Sequence, residues 1–213
     1  MRVIAGSAKG HNLKGPRSDA TRPTSDMVRG AMFAMLESML GLESGLEGLR
    51  VLDLYAGTGA LGIEALSRGA AWCEFVEEDR ATSHIIAENL THTRLADRAA
   101  VHAHTVERVL AHPEILGHRE QPADHCTMDA GYDIILLDPP YALGEAAGGG
   151  VWAVLARLAA GGFAAPRGLV VLEHSRRAAP PEAIGPLRLV KTRRHGDTCV
   201  TFYRMGDEAV LTP

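Results

Sequence analysis

The sequence predicts an α/β protein with a mostly parallel, doubly wound sheet. Short apolar segments alternate along the chain with segments of helical periodicity. The apolar segments lie at residues 50–54, 72–76, 99–104, 134–137 and 169–172. The fourth of them is apolar throughout and lies between Asp133 and Asp138, which is typical of a central strand buried on both faces. In such a sheet, ligands bind at the carboxyl ends of the strands.

The composition is that of a globular protein. With 213 residues, 46% hydrophobic and 23% charged, it argues against disorder, collagen and a disulfide scaffold, and the length suits one large domain with at most a small appendage. No run reaches about 18 apolar residues, and residues 1–4 lack the layout of a signal peptide, so we expect a cytoplasmic protein. Cys73, Cys126 and Cys199 have no C-x-x-C spacing, so we expect reduced thiols and no metal site.

The amino-terminal region precedes the alternating part of the chain. Residues 2–5 and 12–14 are predicted to be two short strands of a small hairpin about a glycine-containing turn. A polar loop follows at residues 16–23, and residues 24–26 supply N-cap side chains for a helix. One face of this helix is predicted to pack in the core, and its members are Val28, Met32, Met35, Leu36 and Met39.

The remaining elements follow from the same periodicity. Helices are predicted at residues 60–67, from the N-cap Asp79 to Leu90, and at residues 106–111 and 151–160. Two further strands are predicted near residues 187–191 and 198–203, and the polar segment 113–131 is predicted to be a surface excursion without an assigned role. We divide the chain into a basic hairpin and loop (1–23), a main domain (24–206) and a tail (207–213).

The charge is unevenly distributed along the chain. The net charge is −4, but residues 1–30 carry +4 and residues 186–204 carry +4, so the other residues carry −12. If the two basic segments meet in space, they form an electrostatic footprint for a polyanion. The alternative is scattered charge that keeps the protein in solution.

A glycine-rich turn follows the first strand of the alternating part. Gly57, Gly59 and Gly62 form the pattern G-x-G-x-x-G, which permits close approach of a ligand to the backbone at a helix amino terminus. Asp53, four residues before Gly57, favours a cationic ligand because a carboxylate repels a pyrophosphate. S-adenosylmethionine, with its ammonium and sulfonium groups, therefore fits better than NAD. The alternative is that Asp53 only stabilises the turn.

Acidic residues end the second strand. Glu77 follows Gly57 by twenty residues and can accept hydrogen bonds from both hydroxyls of an adenosine ribose. Its alternation with Phe75 places it at the strand tip, and Glu78 is the second candidate. Because NAD and S-adenosylmethionine both satisfy this contact, it indicates an adenosine-type cofactor without choosing between them.

The most specific motif is Asp138-Pro139-Pro140-Tyr141 at the end of the central strand. It suits methylation of an exocyclic nucleobase amine, a poor nucleophile because its lone pair is delocalised into the ring. Asp138 can accept one amine hydrogen and the Pro139 carbonyl the other, while the two prolines hold the backbone rigidly. Tyr141 can stack on a base extruded from its helix.

Together these residues resemble a class I S-adenosylmethionine-dependent amino-methyltransferase. Further blocks resemble the RsmD family of bacterial 16S rRNA guanine-N2 methyltransferases over nearly the whole chain. The more discriminating blocks are R-P-T-S-D-M-V-R at residues 22–29 and G-D-T-C-V-T-F-Y at residues 196–203. The others are R-V-I-A-G at residues 2–6, L-S-R-G-A at residues 66–70 and E-H at residues 173–174.

The resemblance implies a Rossmann-like, seven-stranded sheet with a small N-terminal β-hairpin that helps to dock ribosomal RNA. It also implies S-adenosylmethionine as methyl donor and a monomer that acts on 16S rRNA within a small ribosomal subunit particle. The residues expected to hold the cofactor are Asp53, Tyr55, Gly57, Thr58, Gly59, Glu77, Glu78 and Thr105. The residues expected at the base are Asp138, Pro139, Pro140 and Tyr141. The residues expected at RNA phosphates are Arg2, Lys9, Lys14, Arg17, Arg22 and Arg193.

Three features depart from the family pattern. Gly30 stands where the family usually has Glu, which removes a good helix former. Thr105 stands where Asp or Asn is usual, so its hydroxyl or the backbone is expected to bind the adenine amine. The segment 113–131 is longer than the family typically needs.

Three alternative functions stay open at this point. The motif at residues 138–141 does not separate guanine-N2 from adenine-N6 methylation of DNA or RNA, because both amines are conjugated. An NAD-dependent oxidoreductase is opposed by Asp53, and His174 is the only candidate for a hydride-transfer acid near a strand end. An RNA-binding module without catalysis leaves both the glycine-rich turn and the motif at residues 138–141 unexplained.

Overall fold

The computed structural model describes residues 1–15, 25–43, 45–117, 131–140 and 150–206. These residues contain eight strands that belong to one sheet. The strands are β1 (Arg50–Leu54), β2 (Trp72–Val76), β3 (Ala99–His102), β4 (Tyr132–Leu137), β5 (Ala164–Ser175), β6 (Ala183–Ile184), β7 (Leu187–His195) and β8 (Thr198–Met205). Their order across the sheet is β3-β2-β1-β4-β5-β8-β7-β6.

Strands β1 to β5 pair in parallel, and β8, β7 and β6 extend the sheet with antiparallel pairs. The helices of the described residues connect the parallel strands or precede them. They are α1 (Asp26–Leu40), α2 (Ala60–Ser67), α3 (Arg80–Thr93), α4 (Val106–Ala111) and α5 (Gly150–Ala160). Within the described ranges, no helix has the length and apolar character needed to span a membrane.

The predicted α/β class and mostly parallel sheet are confirmed, but the predicted number of strands is wrong. The sheet has eight strands rather than seven because the two-residue strand β6 pairs with β7 at its edge. A two-residue strand is too short to give a periodic signal. The third strand also ends earlier than predicted, at His102, where the His104 N–H donates back to the His102 carbonyl.

Helical layers cover both faces of the sheet. The amino-terminal segment, α1, α2 and α3 pack on one face, and α4 and α5 pack on the other. Side chains of β4 point alternately to the two layers, with Ile134 and Leu136 in the first and Ile135 and Leu137 in the second. All four are buried, as predicted for a central strand.

The amino-terminal hairpin is shorter than predicted. It contains one antiparallel bridge, between Arg2 and Asn12, instead of two paired strands. Val3 and Ala8 are nevertheless buried in the core of the first layer. At Gly6, φ is +80° and a Cβ would lie 1.7 Å from the Ser67 carbonyl oxygen, so this close approach to α2 requires glycine.

A fully buried carboxylate on α2 holds the segment in place. The two oxygens of Glu64 accept hydrogen bonds from the backbone N–H groups of Ile4 (2.8 Å) and Ala5 (3.0 Å). Arg68 Nε donates to the same carboxylate at 2.8 Å, and Arg29 Nε lies 3.8 Å from it. The carboxylate therefore joins the amino-terminal segment, α1 and α2.

Arg29 is a core residue although it belongs to a basic stretch of sequence. Its side chain is fully buried, and its Nη2 donates to the Arg2 carbonyl and, at 2.9 Å, to Asp26 Oδ1. Ser25 N-caps α1 by accepting a hydrogen bond from the Val28 N–H. The described part of the block at residues 22–29 thus has a structural role, which is to begin α1 and bring Arg29 to Glu64.

A second buried carboxylate connects strands β2, β3 and β4. Glu74 of β2 accepts hydrogen bonds from the Tyr132 hydroxyl of β4 (2.9 Å) and from the Gly117 N–H (3.1 Å), and it pairs with His102 Nε2 of β3 at 2.7 Å. Burial alone would raise the pKa of Glu74, but the bonds from His102 and Tyr132 outweigh burial and lower the pKa. Gly117, the last described residue before position 131, is therefore held against the sheet.

We expect the substitution Gly30→Ala to stabilise the protein. An added Cβ would meet only Ile4 Cδ1, at 4.0 Å, and glycine inside a helix costs about 0.5–1 kcal/mol relative to alanine. The denaturant midpoint of the variant should therefore rise. Gly6→Ala is the matched control and should lower the midpoint, because its Cβ would overlap the Ser67 carbonyl. A lower midpoint for Gly30→Ala would contradict the open environment of Gly30.

Candidate active site

The glycine-rich turn connects the carboxyl end of β1 to α2. Its glycines have different surroundings. A Cβ on Gly59 would lie 3.0 Å from Ile86 Cγ2, and one on Gly62 would lie 2.3 Å from Phe75 Cε1, so these two glycines allow close packing. A Cβ on Gly57 would meet no atom within 4 Å, and φ there is +54°. Gly57 therefore faces space in which a ligand can approach the backbone.

Asp53 lies beneath this turn and is almost completely buried. Its Oδ2 accepts a hydrogen bond from the Gly62 N–H at 2.9 Å, so the carboxylate stabilises the turn, as one of the two sequence interpretations predicts. Burial raises the pKa of Asp53 well above its usual range against the lowering effect of the Gly62 bond, and the charges of Asp138 and Glu77 raise it further. Asp53 is thus electrostatically unfavourable as a carboxylate without a nearby cation.

Glu77 is half-buried at the carboxyl end of β2. Its two oxygens accept hydrogen bonds from the Gly57 N–H and the Asp79 N–H, both at 2.9 Å. Burial raises the pKa of Glu77, while these two bonds lower it by a smaller amount. Glu78 is exposed. Glu77 is therefore the acidic residue that bonds to the turn, and its contact with a ribose stays a prediction.

Three of the predicted site residues come together at one edge of the sheet. Strands β2, β1 and β4 are neighbours, and their carboxyl ends bear Glu77, Asp53 and Asp138. The charges of Glu77 and Asp138 both act on Asp53. Within the described residues, no group of three or more His, Cys, Asp and Glu side chains is arranged to hold a metal ion. The carboxylates instead form an acidic cluster at this edge, in which Asp53 is buried and Glu77 accepts the hydrogen bond of the Gly57 N–H.

The motif after β4 is described in part. Asp138 is half-buried, Pro139 is buried and Pro140 is exposed. Tyr141 lies outside the described residues. The buried proline fixes the backbone that follows Asp138, because its φ is restricted. Asp138 is therefore held at the edge of the sheet next to Asp53.

The other predicted cofactor residues surround the turn. Tyr55 has φ +58°, and its hydroxyl donates to Glu107 Oε1 at 3.5 Å. Thr58 is buried, and its carbonyl accepts a hydrogen bond from Asn89. The Thr105 hydroxyl accepts a hydrogen bond from the Arg108 N–H and so forms the N-cap of α4. The predicted contact of this hydroxyl with an adenine amine stays a prediction.

His174 has the surroundings of a structural residue. Its Nε2 is 2.8 Å from the Thr201 hydroxyl and its Nδ1 is 2.8 Å from the Ser175 carbonyl, and its ring packs edge-on against Trp152. Burial lowers the pKa of His174. Both ring nitrogens are therefore engaged with protein atoms, which disfavours His174 as a hydride-transfer acid.

The predicted RNA-binding residues lie on the surface where they are described. Lys9 and Arg193 are exposed, Arg2 pairs with Asp26 at 3.2 Å, and Lys14 pairs with Glu88 at 2.9 Å. Both of these pairs are exposed to solvent, so each is easily exchanged for a phosphate partner. Arg17 and Arg22 lie outside the described residues.

Sequence reasoning missed two buried polar residues that shape the site. Glu64 holds the amino-terminal segment to α2, and Asn89 of α3 bonds to both Lys14 and Thr58. A signal for Asn89 was present, because it follows Ile86 by three residues on the inward face of α3. The pair of Glu64 with Arg68, four residues later, was visible in the sequence, but the bonds to the Ile4 and Ala5 amides were not, because those residues lie 60 and 59 positions away.

Comparison with known families identifies the chain. Residues 1–204 match the family described as "Conserved hypothetical protein 95". The chain belongs to this family. It is the RsmD family, so the resemblance carried by the sequence motifs is confirmed.

Curated relatives carry methyltransferase names. The chain is 35% identical to a protein of Bacillus subtilis named "Putative rRNA methyltransferase YlbH", over 96% of the chain and 98% of the relative. It is 31% identical to "Ribosomal RNA small subunit methyltransferase D" of Escherichia coli, over 68% of the chain and 62% of that protein. Among solved structures, "Putative methyltransferase yhhF from Escherichia coli" matches with a TM-score of 0.76 at 27% identity, over 98% of this chain and 99% of that one. These similarities support the Rossmann-like assignment of the fold.

We expect Asp53→Asn to stabilise the protein at neutral pH. The amide oxygen can still accept the Gly62 hydrogen bond, and the substitution removes a buried charge beside two other carboxylates. Because the folded-state pKa of Asp53 is raised, the folded protein retains this proton more tightly than the unfolded chain, so stability is lost as pH rises through that pKa. The variant should therefore be more stable than the wild type above that pKa and lose this advantage in acid.

Urea unfolding at a series of pH values measures this difference. Asp53→Ala is the control: it removes the hydrogen bond as well as the charge, so it should be less stable than Asp53→Asn throughout. A variant Asp53→Asn that is less stable than the wild type at neutral pH would show that the carboxylate is favourably ionised.

Proposed function

We propose that the protein transfers a methyl group from S-adenosylmethionine to the exocyclic N2 amine of a guanine in 16S ribosomal RNA. The observation that carries the proposal is the convergence of Asp53, Glu77 and Asp138 at one sheet edge beside the open face of Gly57. Membership of the RsmD family and the names of its curated relatives support the choice of ribosomal RNA as substrate.

The residues beside the turn fit this cofactor. Its ammonium and sulfonium groups are cationic, and an acidic cluster attracts them, whereas it repels the pyrophosphate of NAD. Glu77, at the strand tip, would accept hydrogen bonds from the ribose hydroxyls in exchange for one of its backbone partners. The other residues of the turn would line the cofactor, namely Tyr55, Gly57, Thr58 and Gly59, with Glu78 and Thr105 at its border. When bound, the cofactor supplies an electrophilic methyl group.

Asp138 and its neighbours act on the base. The carboxylate of Asp138 accepts a hydrogen bond from one N2 hydrogen and the Pro139 carbonyl from the other, which draws the lone pair out of conjugation and directs it at the methyl group. The nitrogen would form its new bond to the methyl carbon as the bond from that carbon to sulfur breaks, which leaves S-adenosylhomocysteine. The proton that the nitrogen then loses would pass to Asp138 or to water. Pro140 holds the carbonyl in place, and Tyr141 stacks on the extruded base. Asp138 thus acts by orientation and electrostatics.

Arg193 lies on the same face of the sheet as the described part of the amino-terminal basic region. One row of paired residues runs across the sheet from Glu173 of β5 through Val200 of β8 to Arg193 of β7. Asp138 continues this row beyond β5, because Leu137 of β4 pairs with Leu172, the residue before Glu173. Three interstrand spacings of about 4.8 Å separate Asp138 from Arg193, roughly 14 Å along the sheet. Val200 faces the layer that contains the amino-terminal segment. Phosphates on either side of the target nucleotide can therefore contact both regions.

We also propose that a monomer acts on 16S RNA within a small ribosomal subunit particle. The supporting observation is the spread of exposed basic side chains from Lys9 to Arg193 across one face, which suits a broad RNA surface better than a short strand. Methylation of isolated subunits and of naked 16S RNA, compared at equal concentration, tests this choice.

The decisive experiment is mass spectrometry of 16S RNA from a deletion strain. We expect one N2-methylguanosine to be lost and to return with the wild-type gene. Loss of N6-methyladenosine instead would indicate the adenine-N6 reaction, and no loss at all would contradict the proposal. Calorimetry with purified protein should show binding of S-adenosylmethionine and none of NADH, and the opposite result would favour the oxidoreductase.

Asp138→Ala should abolish most of the methyl transfer without loss of cofactor binding. Removing one preorganised hydrogen-bond partner of a transition state typically lowers kcat by about 100- to 1,000-fold. Single-turnover methylation measures this rate, and calorimetry checks that affinity for S-adenosylmethionine stays within about threefold. Wild-type methyl transfer by the variant would remove the amine-orienting role from Asp138.

Binding to RNA should weaken steeply with salt because it depends on phosphate contacts. The slope of log affinity against log salt should decrease by roughly one for each contact removed, as in Lys9→Ala or Arg193→Ala. Arg157→Ala, on α5 in the opposite layer, is the matched control and should leave the slope unchanged. Equal slopes for all the variants would exclude Lys9 and Arg193 from the RNA interface.

A further inference from the structure

The side chain of Asn89 connects the amino-terminal segment to the cofactor turn. Asn89 lies on α3 and is 1% exposed. Its Oδ1 accepts a hydrogen bond from the Lys14 N–H at 2.8 Å, and its Nδ2 donates to the Lys14 carbonyl at 3.2 Å and to the Thr58 carbonyl at 3.0 Å. One amide therefore holds the backbone of Lys14 on both sides and reaches the residue between Gly57 and Gly59.

Each end of this connection lies next to a part of the proposed interaction sites. Lys14 is one of the exposed basic residues, and the chain continues from it directly into the basic stretch that contains Arg17 and Arg22. Thr58 follows Gly57, whose N–H donates to Glu77. A shift of the Lys14 backbone would break or strain the bonds of Asn89, and the same side chain would transmit the shift to the Thr58 carbonyl.

The connection requires an amide. A carboxylate at this position could accept from the Lys14 N–H but could not donate to either carbonyl, and an apolar side chain could do neither. Any of these losses leaves the buried Thr58 carbonyl without this donor, which costs about 1–3 kcal/mol for a buried group, and an apolar side chain also removes the two partly buried bonds to the Lys14 backbone. Both donors and the acceptor of Asn89 are thus used, and they join two segments 44 residues apart in the sequence.

We propose that Asn89 is a positioning residue that couples RNA binding by the amino-terminal segment to cofactor binding at the turn. The inference rests on the proposed function. When RNA orders the backbone at Lys14, Asn89 holds the Thr58 carbonyl and the neighbouring Gly57 in the arrangement that the cofactor needs. By thermodynamic linkage, the cofactor then raises the affinity for RNA by the same factor.

The coupling is measured from four binding experiments. The affinity for S-adenosylmethionine is determined with and without unmethylated small ribosomal subunits, and the affinity for those subunits with and without S-adenosylhomocysteine, so that no turnover occurs. For the wild type, we expect each ligand to tighten the other by at least about fivefold. In Asn89→Ala, the factor should fall to about one, and Asn89→Gln, which keeps the amide, should restore part of it.

Thr93→Ala is the matched control. Thr93 is equally buried on the same helix, but its hydroxyl donates only to carbonyls of that helix, Asn89 and Leu90. This variant should lose stability and keep the wild-type coupling factor. If Asn89→Ala keeps that factor too, or if Thr93→Ala loses it equally, Asn89 is only a structural residue.

A measurement on the wild type is independent of whether the variants fold. Hydrogen exchange of the amides at residues 55–59 should slow when RNA binds in the absence of cofactor, and unchanged exchange would overturn the proposal. A wild type that methylates guanine N2 with a coupling factor of one would reject the coupling alone. A wild type that binds neither S-adenosylmethionine nor ribosomal RNA would reject the proposed function itself.

Discussion

The buried carboxylate of Glu64 is the interaction on which the arrangement of the first layer depends. A fully buried charge is stable in a protein only when its hydrogen-bonding capacity is satisfied. Here two backbone amides and Arg68 donate hydrogen bonds to the carboxylate, and Arg29 adds an ion pair at 3.8 Å. Loss of one partner of such a group typically costs about 3–5 kcal/mol. Because the partners come from the amino-terminal segment, α1 and α2, each of these three elements needs the other two to reach its position in the fold.

This arrangement fixes the amino-terminal segment, which is proposed to bind RNA, relative to the edge of the sheet that bears Asp138. The helix that carries Glu64 begins at Ala60, directly after its N-cap Gly59. The end of α2 that holds the amino-terminal segment and the end that adjoins the cofactor turn therefore belong to one short rigid element. The close contact of Gly6 with the Ser67 carbonyl removes the remaining freedom at the far end of α2. Asn89 makes a second connection on the other side of the turn. In the proposed function, RNA bound to this segment would present its base at a fixed position relative to Asp138, which is what proximity catalysis requires.

The sequence predicted the parallel strands and their helices well because each has a local signal, either an apolar run such as residues 134–137 or a cap such as Asp79. It failed where structure depends on partners distant in the sequence. The two-residue strand β6 forms because β7 lies beside it. Arg29 was counted among the basic residues at the amino-terminal end of the chain, but it is buried because it pairs with Glu64, 35 residues later in the sequence. The position of Glu77 beside Gly57 could be predicted from spacing, but the double role of Asp53 could not, since it depends on the Gly62 N–H and on the burial of the carboxylate together.

The same electrostatics explain why an acidic edge can select its ligand. Asp53 has its pKa raised chiefly by burial, and Asp138 and Glu77 add to the cost of its negative charge. A cation bound at this edge lowers that cost at all three carboxylates at once, so the strain between them becomes binding energy for S-adenosylmethionine. An anionic dinucleotide would increase the same strain, although its ribose could satisfy Glu77 equally well. In the proposed function, selection between the two cofactors therefore resides chiefly in the buried Asp53, while Glu77 would supply the adenosine contact that the two cofactors have in common.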